Sequence, residues 1–250
     1  MEKNSSKIEL TVPQSILLGF CIVAAAIFFG IWKIGGTLSS NSQATPTNVS
    51  ENETPGTPPV IDIAKINVEG EPFIGNPTPK VAVAYWCDYQ ASLCKQFETG
   101  TFQKLIEKYV AGDTGIAVIF KDLPLFGKDS MTAALYGRAV WDLYPGQYYA
   151  WREAMFTAQD RVEQGFGDEE SIKQLTGTIT GIDAEKISIA IKQKKDIYQK
   201  AIDADIAEAN KYMITGNPSF ITGATKFIGN VSFAEFSENL DYQLKIVGAK

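Results

Sequence analysis

The sequence predicts an α/β domain with a helical insertion, placed behind an apolar N-terminal segment and a polar linker. Three observations lead there. Two short apolar runs, residues 81–86 (VAVAYW) and 116–120 (IAVIF), read as buried strands, and apolar positions at helical spacing lie between them. Residues 130–213 are helical in pattern almost throughout. Residues 219–222 and 225–228 then read as a strand pair around Gly223, followed by a last helix from Ser232 to about Ile246. Two buried strands joined by a helix imply a parallel, right-handed crossover.

The elements follow in chain order. Residues 1–15 read as a cytoplasmic N-terminus. Residues 16–34 read as a single transmembrane anchor: Ile16 to Trp32 is 17 residues without a charge. At 1.5 Å per residue that run spans roughly 25 Å, enough for a bilayer core once flanking residues snorkel. Lys3 and Lys7 lie on its N-terminal side, and beyond Lys33 no basic residue appears until Lys65. This bias puts the C-terminal domain outside the cell membrane. A cleaved signal peptide is the alternative, with Gly35, Gly36 and Ser39 as small residues near a cut. Cys21 sits within the apolar run and reads as a small hydrophobe. Residues 35–60 are Ser, Thr, Asn, Gly and Pro with little to bury, a disordered linker.

Residues 61–250 form the folded domain. In the first predicted helix, Leu93, Phe97, Phe102, Leu105, Ile106 and Tyr109 mark the buried face, and Gly100-Thr101 is expected to kink or interrupt it. In the helical region, Ile187, Ile191, Tyr198, Ile202, Ile206, Ala209 and Met213 form one stripe, read as core.

Composition removes several functions. Lys and Arg number 23 against 29 Asp and Glu, a net charge of −6. No basic stripe suits nucleic acid, and the Lys192, Lys194 and Lys195 patch reads as a solvated helix face. There is no histidine, which removes His-based triads and the usual zinc ligand. Three cysteines, at 21, 87 and 94, cannot build a structural zinc site. No phosphate loop or dinucleotide fingerprint is present. No cofactor and no metal is expected.

Four stretches carry a resemblance. Residues 70–76 (GEPFIGN) look like a lead-in to a first long strand. Trp86-Cys87-Asp88-Tyr89-Gln90 resembles an aromatic-x-Asp-aromatic-Gln run. Residues 121–125 (KDLPL) are similar to a basic-Asp-aromatic-Pro-Leu strand end, and residues 215–220 (TGNPSF) resemble a cis-proline segment. In order and spacing they resemble the DsbA-like thiol-disulfide oxidoreductases, over roughly Ile66 to Leu244. The resemblance implies a thioredoxin-like fold with a helical insertion, extracytoplasmic protein or peptide thiols as partners, and a cis Asn217–Pro218 bond beside a substrate groove.

The active site departs from that family. The match places the nucleophilic Cys at Ala91, so the motif reads Ala91-Ser92-Leu93-Cys94, and only the resolving Cys survives as Cys94. A buried Glu common in the family falls at Tyr85, and Asn217 stands where Thr or Val usually precedes the proline. Exchange needs an accessible thiolate, which a helix N-terminus favours by lowering the thiol pKa. Without the first Cys the ordinary dithiol cycle cannot close. Cys87 and Cys94 are the remaining candidate catalytic thiols. The favoured expectation is two unpaired thiols, with a redox pair or a structural disulfide as alternatives. Two main functions follow: an oxidoreductase with reduced or lost dithiol activity, or a redox-silent peptide-binding, chaperone or adaptor module using the cis-proline groove. A carboxylate hydrolase using Asp122 or Asp88 is a minor third reading, since Asp122 reads as a structural acid.

Overall fold

The structure, a computed structural model, describes residues 62–112, 114–161 and 164–248. The segments expected to be the cytoplasmic N-terminus, the anchor and the linker lie outside the described residues. Among the described residues no helix is long and apolar enough to cross a membrane.

A five-stranded sheet in the order β1-β3-β2-β4-β5 organises the domain. Strands β2 (Val81–Cys87) and β3 (Ile116–Asp122) are the two apolar runs, and they pair in parallel with Val81 opposite Ile116 and Cys87 opposite Asp122. Strand β4 (Ser219–Thr222) runs antiparallel to β2, and β5 (Thr225–Ile228) completes the hairpin. Strand β1 (Phe73–Gly75) was expected only as a lead-in; it pairs antiparallel with β3. Three half-buried residues are too few to show a period. Gly75 has φ +105°, and a Cβ there would collide with the Ile116 carbonyl oxygen, so only glycine lets this edge close on β3.

Helix α1 begins at Ser92–Gln96 and continues through a π-helical segment, Phe97–Phe102, an α-helical turn, Gln103–Leu105, and a second π-helical segment, Ile106–Val110. The expected interruption at Gly100-Thr101 is therefore a widening of the helix, not a break. Side chains hydrogen-bond to carbonyls there: Thr99 Oγ1 donates to Lys95 O (2.8 Å) and Gln103 Nε2 to Glu98 O (3.2 Å). A π-turn rotates the side chains that follow it relative to those before, and it recurs at functional sites.

The insertion comprises α2 (Gly127–Leu143), α3 (Tyr148–Ala158), α4 (Glu169–Thr178) and α5 (Ala184–Lys211); α6 (Phe233–Gly248) follows the hairpin. Asp183 caps α5 by accepting from the Glu185 and Lys186 N–H groups. The helix kinks at Lys194, whose ammonium pairs with Asp142 at 2.6 Å while Lys192 and Lys195 are exposed. The stripe on α5 is core at Ile187, Tyr198, Ile202 and Ala209, but Met213 is not. It lies beyond the helix end with φ +52° and is 47% exposed, because the helical period stops at Lys211.

Alternation along β2 divides the core. Tyr85 and Cys87 face a cluster with Phe97, Phe102, Phe120, Phe220 and Phe236. Ala84 and Trp86 face a second cluster with Ala209, Tyr212, Ile214 and Ile221. Each face buries its apolar side chains against helices, which is what fixes the register.

Candidate active site

Three chain segments converge at the C-terminal end of β2. The Cys87 carbonyl accepts from the Leu123 N–H at 3.0 Å, and the Leu123 carbonyl accepts from Asn217 Nδ2 at 3.0 Å. The end of β2, the loop after β3 and the segment before Pro218 are thus tied in series. The Asn217–Pro218 bond is cis, as the resemblance implies. Asn217 is half-buried and Pro218 buried.

Asp88 holds the same corner. Its Oδ1 accepts from the Gln90 N–H at 2.8 Å, and its Oδ2 from the N–H groups of Leu125 (2.6 Å) and Phe126 (3.2 Å). Burial pushes its carboxyl up, and these hydrogen bonds oppose the rise. A carboxylate occupied by three backbone N–H groups is a staple, not a general base. Asp122 is likewise engaged, accepting from Arg138 Nε at 2.6 Å, so neither acid serves the hydrolase reading.

Ala91 occupies the N-cap position of α1 and has no side chain to cap it. Its carbonyl accepts from Lys95 N–H (3.1 Å) and from Gln159 Nε2 (3.2 Å), which also reaches the Tyr89 carbonyl. The Lys95 ammonium donates to the carbonyls of Thr157 and Gln159 at the end of α3. The start of α1 is therefore clamped to α3. Ser92 and Leu93 are exposed, whereas Ala91 is buried and Cys94 fully so.

Cys87 and Cys94 form a disulfide, with Cα atoms 6.2 Å apart. This corrects the expectation of two unpaired thiols. A strand end and the first turn of the next helix come within bridging distance because Asp88, Tyr89 and Gln90 turn the chain back tightly. Both sulfurs are inside the core: Cys94 is 0% and Cys87 4% exposed.

A buried ion pair completes this part of the core, and no motif along the chain pointed to it. Glu98, in the first π-segment, accepts from Arg152 Nε (2.9 Å) and Nη2 (2.7 Å) through Oε1, and both residues are about 2% exposed. The Arg152 guanidinium lies 4.2 Å from the Phe120 ring centroid and near the rings of Tyr85, Tyr89 and Phe156. Burial works against its charge, but Glu98 and the surrounding tyrosines outweigh that and hold it protonated. The Tyr85 hydroxyl is 3.1 Å from Cys87 Sγ, and Glu98 and Arg152 also act on it. Tyr85 therefore stands where the resemblance expects an acid, and the nearby Glu98 comes from another element. The pattern that places Glu98 on the buried side of α1 is its position one turn after Cys94, which the π-turn makes hard to read from an α-helical wheel.

A parallel β-α-β unit, an antiparallel hairpin, a closing helix and a cis-proline set beside the first turn of α1 define a thioredoxin-class protein. The family model described as thioredoxin matches residues 67–242, and the chain belongs to that family. It is DsbA-like within it. It is similar to the probable disulfide bond formation protein D of Bacillus anthracis, 22% identical over 178 residues, covering 69% of this chain and 77% of the relative. Among solved structures, BdbD from Bacillus subtilis in its oxidised form superposes with TM-score 0.67 at 22% identity, covering 74% of this chain and 98% of that one. The thiol-disulfide exchange protein α-DsbA2 from Wolbachia pipientis does so with TM-score 0.62 at 25% identity, covering 70% and 87%.

Proposed function

We propose that this chain is a membrane-anchored, extracytoplasmic DsbA-like protein that receives extended peptides of exported proteins beside Pro218 and has reduced or lost dithiol activity. The observation that carries the reading is the pairing of Ala91 at the helix start with a disulfide whose sulfurs are buried. Exchange proceeds by attack of a thiolate on a sulfur, and where the resemblance expects the attacking thiol the helix start carries the buried methyl group of Ala91. Exposed Leu93, Leu125 and Phe126 supply apolar contact for a peptide near the corner held by Asp88. The names of the relatives, a disulfide bond formation protein and a thiol-disulfide exchange protein, support the same class of partner. The anchor rests on the uncharged run at residues 16–32 and the Lys bias around it.

Turnover of a reduced peptide by the full chain tests the reading. The native protein is expected to give no more than background oxidation, and Ala91→Cys to raise it at least about tenfold, through a thiol of lowered pKa at the helix N-terminus. Multiple turnovers by the native protein would refute the loss of activity. Protease added to intact cells stripped of any outer barrier should digest the domain; digestion only after lysis would refute the orientation.

A second reading has its own observation, the Cys87–Cys94 bond itself. It makes the pair a redox couple in its own right. Cys87, the more exposed sulfur, would be the one attacked.

A further inference from the structure

We propose that the last residues of the linker and the first of the domain, Pro58, Pro59, Val60 and Ile61, dock into an apolar groove at the end of the sheet far from Pro218. The tether then joins the domain through that groove and not at Asp62 alone. The inference goes beyond the reading above and depends neither on the disulfide nor on the anchor.

The groove has a local cause in the sequence. On the face of β2 that carries Ala84 and Trp86, the next residue towards the strand start is Ala82, which lies opposite Ala117 on β3. Two methyl groups side by side leave a trough where larger side chains would fill the layer. Among the described residues, the core cluster on this face packs Ala84 against Ala209 and Tyr212 near the end of α5, and Ala84 is fully buried. Ala82 is outside that cluster and only half-buried. The trough encloses about 380 Å³. One wall is the chain before β1, with Ile63, Ile66 and Val68, and the other is the turn between β1 and β2, with Pro77, Pro79 and Lys80. Val68 is 52% exposed and Ile63 half-buried, so apolar surface faces water around a concave floor. A segment laid across it would remove that surface from water.

The chain's own tether is the occupant that fits. The Ile63 N–H donates to the Gly223 carbonyl at 3.0 Å, and the pairing of Thr222 with Val83 puts Gly223 at the Ala82 end of β2. The backbone at Asp62 is extended, with φ −149° and ψ 112°. The chain therefore enters the domain in an extended state at the edge of the trough. Four extended residues reach at most about 14 Å, and neighbouring strands lie about 4.8 Å apart, so residues 58–61 can cross the floor. Pro58-Pro59-Val60-Ile61 is the one unbroken apolar run in residues 35–61. Its two prolines need no ladder partner and lose little freedom on docking. Tethering holds the run at an effective concentration on the order of mM, enough to fill a weak site. Glu51 and Glu53 are the charges of the linker, and the exposed Lys80 on the rim offers them the opposite sign. Strands β2 and β3 run from this end to Cys87 and Asp122, roughly 20 Å away for seven residues. A docked tether thus stays clear of the corner beside Pro218 and leaves it open to a peptide.

The test is photo-cross-linking in the detergent-solubilised full chain, with benzoylphenylalanine in place of Val60 and the products read by peptide mass spectrometry. Cross-links should form within one chain, to residues 77–82 or 117–119. Cross-links scattered over the domain, to a second copy, or to detergent alone would overturn the proposal. Ala82→Leu, which fills the trough, should cut the groove cross-links at least about fivefold, and an unchanged yield would overturn it. A second measurement leaves the sheet untouched. Pro58→Ser, Pro59→Ser and Val60→Ser combined should raise the unfolding equilibrium constant in urea by about tenfold, what burying one valine-sized side chain contributes. A free tether predicts no change in the urea midpoint, and that result would overturn the docking. Neither readout involves thiol exchange, so absence of peptide turnover leaves both unaffected.

Discussion

The domain buries two ionic clusters, and they are built on opposite rules. Under the disulfide, Glu98 and Arg152 form one pair with a carboxylate oxygen left over. Around the other face of β2 and β3, Lys121 and Arg138 meet Glu71, Asp122, Asp205 and Glu208. There Asp205 accepts from Lys121 Nζ (2.9 Å), from the Asp122 N–H (2.7 Å) and from Arg138, while Arg138 also binds Glu71 at 2.7 Å and Asp122 at 2.6 Å. Asp205 has a partner for each oxygen, and the cluster ties β3, α2 and α5 to the segment before β1.

The contrast predicts a ranking of costs. Arg138→Met should be the most severe, about 3–5 kcal/mol in urea unfolding, because it leaves Asp122 without a cation and Glu71 and Asp205 with Lys121 alone. Arg152→Met should cost less, about 2–3 kcal/mol, since it strands only Glu98, which can take up a proton. A larger loss at Arg152 than at Arg138 would erase the distinction.

The pH dependence sharpens it further. Four acids share two cations, and burial pushes Asp205 up, to about 8, with Arg138 and Lys121 opposing. A carboxyl whose folded pKa lies above its unfolded value binds its proton more tightly in the native state. Its contribution to stability is complete below about pH 4 and is lost as pH rises towards 8. The urea midpoint should therefore fall between pH 5 and 8 by the equivalent of about 1–2 kcal/mol, and Asp205→Asn should flatten that slope. An unchanged slope would assign the dependence elsewhere.

The smallest effect is expected at Glu98. Glu98→Gln keeps an oxygen for Arg152 but removes the counter-charge of its buried guanidinium, so it should cost about 1–2 kcal/mol by urea unfolding. A loss of 3 kcal/mol would make Glu98 as structural as Asp205.

Some of this site was legible along the chain. Ala91 and Cys94 lie within one turn of each other, and Pro218 sits in a six-residue signature, so motif spacing located all three. Strands β2 and β3 were legible because a strand buried on both faces is an unbroken apolar run. The Met213 end of the stripe was misplaced because a period cannot announce where the backbone leaves the helix. The π-turns of α1 were invisible for a related reason: they change the register of an otherwise ordinary helical pattern.

What the sequence by itself determined is the fold class and an alanine at position 91, since alternation, helical spacing and residue identity are local properties of a few neighbouring residues. Tertiary structure alone decided the chemistry that remains. Cys87 and Cys94 are joined because a tight turn brings a strand end against a helix start, with Cα atoms 6.2 Å apart. Glu98 meets Arg152 from 54 residues away, and the Arg152 guanidinium lies 5.2 Å from the ring centroid of Tyr85 on a third element. Distances between elements follow from how whole faces pack, and packing is a property of all the side chains at once.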